Sequence, residues 1–513
     1  MTKQPTTVML EGGALDFATL AAIGITGTMV QANPAGLERV DQGRAAFEAA
    51  LAAGVPIYGA TTGVGAMKNI RLSPAELAAF NAGLVRAHHF GIGALLSADV
   101  VRGAIAIRIN TALGGHAGCT RELVEFYISL LREDVVPVVR RQGSIGCADI
   151  GLMGQIGAVL TGAGEALYQG QRLPAEMALA AAGLAPIAMA PKDSLASISV
   201  NAVGYAACAH ALRRAAATLR VVLATAVTAA VALGASPDPW EAAMHLGTRC
   251  EAQIGRFLTQ ASRESGVAPA QDVHDPLSLR MMAQIFGAII ETLSHAGTIV
   301  LAATGRSDDN PVVLEGRVIA SGGSLPLDVT IALQSASLAL AHAARNAFNR
   351  CVLLGNGGRR GLPVHLVPPG AIATGFGPVI KLAGELFAQT LALAAPVSGQ
   401  SLTVAGGMED EATFLPLVVE RFEQQVEALA GLAALQALMA AQAIDLCGDR
   451  PRGLVAMIYG IVRDHAAFYD ADRPLSAEIE TIQAEFTART TLQRLLERAP
   501  LEDFDRLFAL HIA

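Results

Sequence analysis

Five long stretches of this 513-residue chain are apolar and nearly free of charge, and they limit the folds open to it. They run over Leu195–Leu233, Leu277–Thr304, Val329–Leu354, Gly375–Leu393 and Leu415–Cys447, and all are rich in Ala, Leu and Val. Apolar periodicity sustained this long predicts helices, and charge this sparse predicts that some of them are covered on every side. Two inner stretches, Val221–Ala235 and Ala428–Ile444, carry no charge at all and are bounded by Arg220 and Asp445. Both are shorter than the roughly 20 residues a membrane span needs, so interior helices of a bundle are expected and no membrane is.

Up to about residue 200 the pattern differs. Helix-like segments such as Pro74–Arg86 and Asp99–Leu113 alternate with Gly-rich breaks at Tyr58–Gly65, Gly91–Gly93 and Gly114–Gly118. Strand signals are few, with Arg317–Ala320 before Gly322-Gly323 the clearest. Two regions are therefore expected: residues 1–200, mostly helical and loop-bearing, and residues 201–513, a long-helix bundle. The fold class is all-α, an elongated central helical bundle with a mixed, mostly helical N-terminal region.

Composition excludes some functions. Charged residues make up 16 % of the chain against 52 % hydrophobic, which implies surface buried between subunits. The net charge is −8 and no Lys/Arg cluster stands out, so nucleic acid is not an expected partner. Six cysteines lie scattered without a CxxC pair, and the start Met1-Thr2-Lys3-Gln4-Pro5 has no apolar signal core. Both fit a reducing cytoplasm.

The chemistry lies in short motifs. Gln142-Gly143-Ser144-Ile145-Gly146-Cys147-Ala148-Asp149-Ile150-Gly151-Leu152 is the most telling. With Tyr58-Gly59-Ala60-Thr61-Thr62-Gly63-Val64-Gly65, Ala87-His88-His89-Phe90-Gly91-Ile92-Gly93, His274-Asp275-Pro276-Leu277-Ser278-Leu279-Arg280 and Gly407-Met408-Glu409-Asp410-Glu411, it resembles the aromatic amino-acid ammonia-lyase family. That family contains the histidine and phenylalanine lyases, and the likeness runs from about residue 8 to residue 480. It implies a helical subunit assembled as a homotetramer, with active sites built from loops of several subunits.

Roles follow from the resemblance, residue by residue. Tyr58 falls on the base that removes the β-proton; Lys68 nearby is either a cation that lowers its pKa or a solvated side chain. His88 falls on the residue facing the substrate ring, and His89 reads as structural. Arg280 falls on the arginine that grips the substrate carboxylate, a task suited to a forked cation; a structural ion pair is the alternative. Glu409 falls where histidine lyases place a glutamate against the imidazole; helix N-terminal charge is the alternative. Thr374-Gly375-Phe376 resembles Ser-Gly-Phe, and Phe376, like Phe90, is a candidate for cation–π contact with a quaternary amine. Lys381 is a secondary candidate for holding a polar ring substituent, although an ion pair with Glu385 one turn on is the simpler expectation.

The departures from the family pattern are as informative as the matches. Its Ala-Ser-Gly triad cyclises into the electrophile methylidene-imidazolone, whereas here Cys147-Ala148 runs straight into Asp149. Ala148 has no heteroatom to lose. Two further changes surround the same group: Ser199 stands for the supporting Asn, and Leu277 for a Tyr. The electrophile normally bonds to the substrate amine and makes it a better leaving group. A quaternary ammonium has no lone pair to offer and departs unaided as a tertiary amine.

The expected reaction is β-elimination of trimethylamine from an imidazole-type amino-acid betaine, ergothioneine, to give thiourocanate, with no cofactor and no metal. Alternatives are a histidine-type ammonia-lyase or aminomutase with an atypical electrophile, and a non-catalytic paralogue. A fumarase/aspartase-type bundle is set aside because no Gly-Ser-Ser…Lys-x-Asn loop occurs.

Overall fold

The computed structural model describes residues 7–400 and 402–512, and within them 20 α-helices and nine short strands. The apolar runs become the long helices. Ala202–Ala232 and Leu415–Leu446 pack along each other at the centre. Leu327–Asn356 lies against Leu415–Leu446 and against Met282–Ala303, and Gly377–Leu393 closes on both Leu327–Asn356 and Leu415–Leu446. Almost every residue of Val221–Ala232 and Ala428–Ile444 is buried. Each large aliphatic side chain among them contributes about 1.5–3 kcal/mol of burial.

Among the described residues, four helical stretches are long and apolar enough to cross a membrane by length and composition alone. In two of them, Asp193–Ala232 and Leu415–Leu446, the apolar window is 89 % buried by the protein itself.

Two of the expected continuous runs are broken. Leu195–Leu233 divides into Asp193–Ile198 and Ala202–Ala232, because Ser199-Val200-Asn201 leaves helical geometry to meet buried acids described below. Leu277–Thr304 divides after the single turn Leu277–Arg280. Pro237-Asp238-Pro239 interrupts the bundle only to open a new helix, Asp238–Leu246.

The N-terminal region carries more strand than its sequence announced. Thr7–Leu10 pairs in parallel with Met29–Ala32, and Glu165–Tyr168 forms a hairpin with Gln171–Pro174 that also takes Val136–Pro137. These strands are two to four residues long, too short for periodicity to reveal. The predicted strand near Arg317 forms as Arg317–Ile319, antiparallel to Val312–Leu314.

Candidate active site

A cavity of about 550 Å³ opens where the N-terminal loops meet the ends of the bundle helices. Tyr58, His88 and Glu409 all line it, together with Cys147, Ala148, Ser199, Asn310 and Ser324. Residues from widely separated parts of the sequence thus face one space.

Tyr58 sits in a turn between the helix Pro34–Ala52 and the short turn Gly65–Met67. Gly59 has φ +66°, and a Cβ there would lie 2.6 Å from Leu195 Cδ2, so the turn depends on glycine for both conformation and space. The Gly65 N–H donates to the Tyr58 phenol oxygen at 2.9 Å. Burial, first, and the Glu409 charge raise the Tyr58 pKa, while the Gly65 N–H opposes them. Lys68 does not contribute to this balance; its ammonium lies against Met408 Sδ instead.

His88 caps the C-terminus of the helix Pro74–Ala87, whose start is set by a capping box between Ser73 and Glu76. His88 Nδ1–H donates to the Leu84 carbonyl at 2.7 Å, since a carbonyl can only accept. Glu409 follows the turn Ala405–Gly407 and pairs by its backbone with Val404. That turn abuts the Gly65–Met67 turn, which brings the Tyr58 and Glu409 loops together.

The Gly143–Asp149 segment is held from several sides. Phe414 N–H donates to Ile145 O at 2.8 Å, and the Thr413 hydroxyl donates to Gly146 O at 2.7 Å. Ala148 adopts φ +52°, with its N–H on Ser324 O at 2.8 Å, and Asp149 N–H donates to Val200 O at 2.9 Å. Gly146, at φ +75°, passes so close to Thr413 and Leu415 that a Cβ would fall 2.5 Å from Thr413 Oγ1. Cys147 Sγ lies 3.7 Å from Ser324 Oγ, and burial raises its thiol pKa.

Behind this segment are two buried carboxyls that motif reading did not single out. Asp149 Oδ2 accepts the Gly204 N–H at 2.6 Å and Oδ1 accepts the Ser144 hydroxyl at 3.1 Å. Asp308 Oδ2 accepts both N–H and Nδ2–H of Asn201, at 3.1 and 2.7 Å. Together they occupy the N-terminus of Ala202–Ala232, where backbone donors would otherwise go unpaired. Burial pushes Asp149 up to about 7 and Asp308 up to about 6; the Asp308 charge adds to the first rise and the Asp309 charge to the second. Asp149 stood in the Gln142–Leu152 motif, but its partner Gly204, like the Asn201 partner of Asp308, is distant in sequence.

Three expected site residues are not brought to this cavity within one chain. Arg280 lies on the turn Leu277–Arg280, its Nη1 on His274 Nε2 at 2.8 Å and its Nε buried without a partner. Lys381 is exposed on Gly377–Leu393, and the expected ion pair with Glu385 does not form. Phe376 departs from the expectation most clearly. It is 1 % exposed and packs on Tyr469 with centroids 5.1 Å apart, so its ring is core and offers no face to a ligand. Phe90, by contrast, is exposed.

Known proteins share this architecture. The aromatic amino acid lyase family matches residues 15–464. A histidine ammonia-lyase from Aromatoleum aromaticum is 30 % identical over 493 residues, 94 % of each chain. One from Vibrio cholerae is 28 % identical over 93 % of this chain and 96 % of its own. Among solved structures, ergothionase from Treponema denticola, an ergothioneine-degrading enzyme in complex with desmethyl-ergothioneine sulfonic acid, superposes with a TM-score of 0.91 at 26 % identity. It covers 95 % of this chain and 99 % of its own. The histidine ammonia-lyase of Trypanosoma cruzi shares the fold with a TM-score of 0.87 at 21 % identity, covering 99 % and 98 %. The match along residues 15–464, and the cavity in which Tyr58, His88 and Glu409 meet, lead to one conclusion: the chain belongs to the aromatic amino acid lyase family of carbon–nitrogen lyases.

Proposed function

We propose that this lyase eliminates trimethylamine from ergothioneine to give thiourocanate, and that it does so without a methylidene-imidazolone. The observation that carries the reading is the Gly146–Asp149 segment on the cavity wall. Read directly, the triad Cys147-Ala148-Asp149 has a central alanine with nothing to eliminate. Read one residue earlier, the attacking nitrogen is that of Ala148, which is committed to Ser324 O at 2.8 Å. The direct register thus has no group to eliminate, and in the shifted one the attacking nitrogen is held away by Ser324.

The cavity's charge supports the same substrate. Among its lining residues Glu409 is the carboxylate, and neither Lys nor Arg is present. Such a space favours a cation. Tyr58 also lacks a fixed positive neighbour there, and a bound trimethylammonium supplies one, lowering the cost of the phenolate. In the proposed reaction Tyr58 takes the β-proton, the C–H electron pair forms the Cα=Cβ bond, and the C–N pair leaves with neutral trimethylamine. Glu409 accepts from a ring N–H, and His88 flanks the ring.

The carboxylate clamp, Arg280, belongs to the proposal through a neighbouring copy in a homotetramer. Leu327, Ile331 and Leu338 support association: they are 43–54 % exposed along one face of Leu327–Asn356. A reducing cytoplasm suits the six unpaired cysteines.

A histidine ammonia-lyase with an atypical electrophile is the second reading, favoured by the 30 % identity to such an enzyme along 94 % of both chains. The test is turnover of ergothioneine, hercynine and histidine by purified protein, recording trimethylamine, ammonia and product absorbance. Trimethylamine from ergothioneine is expected. Ammonia from histidine, with neither betaine consumed, overturns the proposal; no turnover of any of the three favours a non-catalytic paralogue.

A further inference from the structure

Arg350, on Leu327–Asn356, is a fully buried guanidinium with no carboxylate partner among the described residues. Its Nε donates to Gln436 Oε1 at 2.8 Å, and its Nη1 donates to Asn346 Oδ1 and, at 3.4 Å, to the Ser278 carbonyl; Nη2 has no partner. An unpaired buried cation is expensive, and burial pulls its pKa down to about 9. Its surroundings show what it serves. Asn346 Nδ2–H also donates to Ser278 O, at 3.0 Å. On the next residue, Trp240 Nε1–H donates to Leu279 O at 2.9 Å, with the indole wholly buried. Three side chains from two helices thus converge on two consecutive carbonyls, those immediately before Arg280. Upstream, Asp275 is fixed by Arg359 at 2.6 Å and by the Ser236 N–H at 2.7 Å.

We infer that Trp240, Asn346 and Arg350 are positioning residues for Arg280: they clamp the backbone at Ser278 and Leu279 so that the guanidinium presents a fixed fork to the substrate carboxylate. This rests on the Arg280 clamp proposed above. A rigid mount matters because a bidentate carboxylate contact tolerates little misplacement.

Two variants remove donors, Asn346→Asp at constant side-chain volume and Trp240→Phe with some loss of buried ring. Trp240→Phe loses the indole N–H. Asn346→Asp keeps an acceptor for Arg350 but sets an oxygen against Ser278 O. Arg280→Lys removes the fork itself. In each, the KM of ergothioneine is measured beside the inhibition constant of its carboxamide, with thermal melting as a control for folding. The expected result is a KM raised about tenfold with kcat within about twofold, and a carboxamide constant nearly unchanged. A structural defect moves both ligands alike, and that outcome overturns the inference. If Arg280→Lys raises KM while Trp240→Phe and a folded Asn346→Asp do not, the inference fails and the clamp stands. If Arg280→Lys itself leaves KM unchanged, the clamp fails, and the inference with it; no turnover of ergothioneine by wild type overturns both. Trp240 is the chain's single tryptophan, so its emission is a second readout. It is expected to change when ergothioneine binds and not when the carboxamide does; equal changes count against the inference.

Discussion

Asp149→Asn tests whether the segment beside the cavity is anchored by an acid or by a charge. Asp149 is wholly buried, and burial dominates its titration, lifting its pKa from 3.8 to about 7 against the opposing Gly204 N–H and Ser144 hydroxyl; the Asp308 charge adds to the rise. In the unfolded chain the same carboxyl ionises near 3.8. Between these values the folded protein holds one more proton than the unfolded one. Stability therefore falls as pH rises, by about 1.4 kcal/mol per pH unit for this group. The contribution is complete below pH 3.8 and lost once pH passes about 7.

The Asp149→Asn side chain has no proton to lose, and its amide can still accept from Gly204 and donate to Ser144. Wild-type stability minus variant stability should then drop by about 2 kcal/mol between pH 5 and pH 7, the folded carboxyl being half ionised at the upper value. Asp308 is present in both proteins, so its own titration largely cancels. Urea unfolding at both pH values, at one protein concentration because assembly also stabilises, gives the difference. A difference that stays constant to within about 0.5 kcal/mol refutes the reasoning: Asp149 would then be ionised in the fold at pH 5, and the helix N-terminus would outweigh its burial.

Three further outcomes bear on the chemistry. Tyr58→Phe should lower kcat for trimethylamine release by at least about 100-fold, while losing only the Gly65 hydrogen bond, about 1 kcal/mol of stability; rates within threefold remove Tyr58 as the base. Glu409→Gln removes the charge that raises the Tyr58 pKa, so the acidic limb of the kcat–pH profile should move to lower pH even as the ring is held less well. A pH profile that stays in place shows the two groups to be uncoupled. Intact mass should equal that of the unmodified chain, and near-ultraviolet absorbance should be that of its aromatic residues. A mass short by two waters, or by hydrogen sulfide and water, would reveal a self-made electrophile.

The bundle was legible in the sequence because long apolar runs with so little charge can be stabilised only by mutual burial, and their spans hold to within a few residues. Tyr58, His88 and Glu409 were legible as motifs, each a local run of residue types. The breaks at Ser199–Asn201 and after Arg280 were not, because each exchanges helical hydrogen bonds for partners far along the chain. Asn201 turns to Asp308, and the Ser278 and Leu279 carbonyls turn to Asn346, Arg350 and Trp240. Phe376 shows the same limit from the other side: a motif gave it a neighbour in sequence, and Tyr469 gave it a place in the core. Local patterns of residue type therefore determined which segments are helical and which loops line the candidate site. Only the tertiary structure decided what surrounds each titrating group, since burial and long-range hydrogen bonds, which set the protonation of Asp149 and Tyr58, do not exist until the chain has closed on itself.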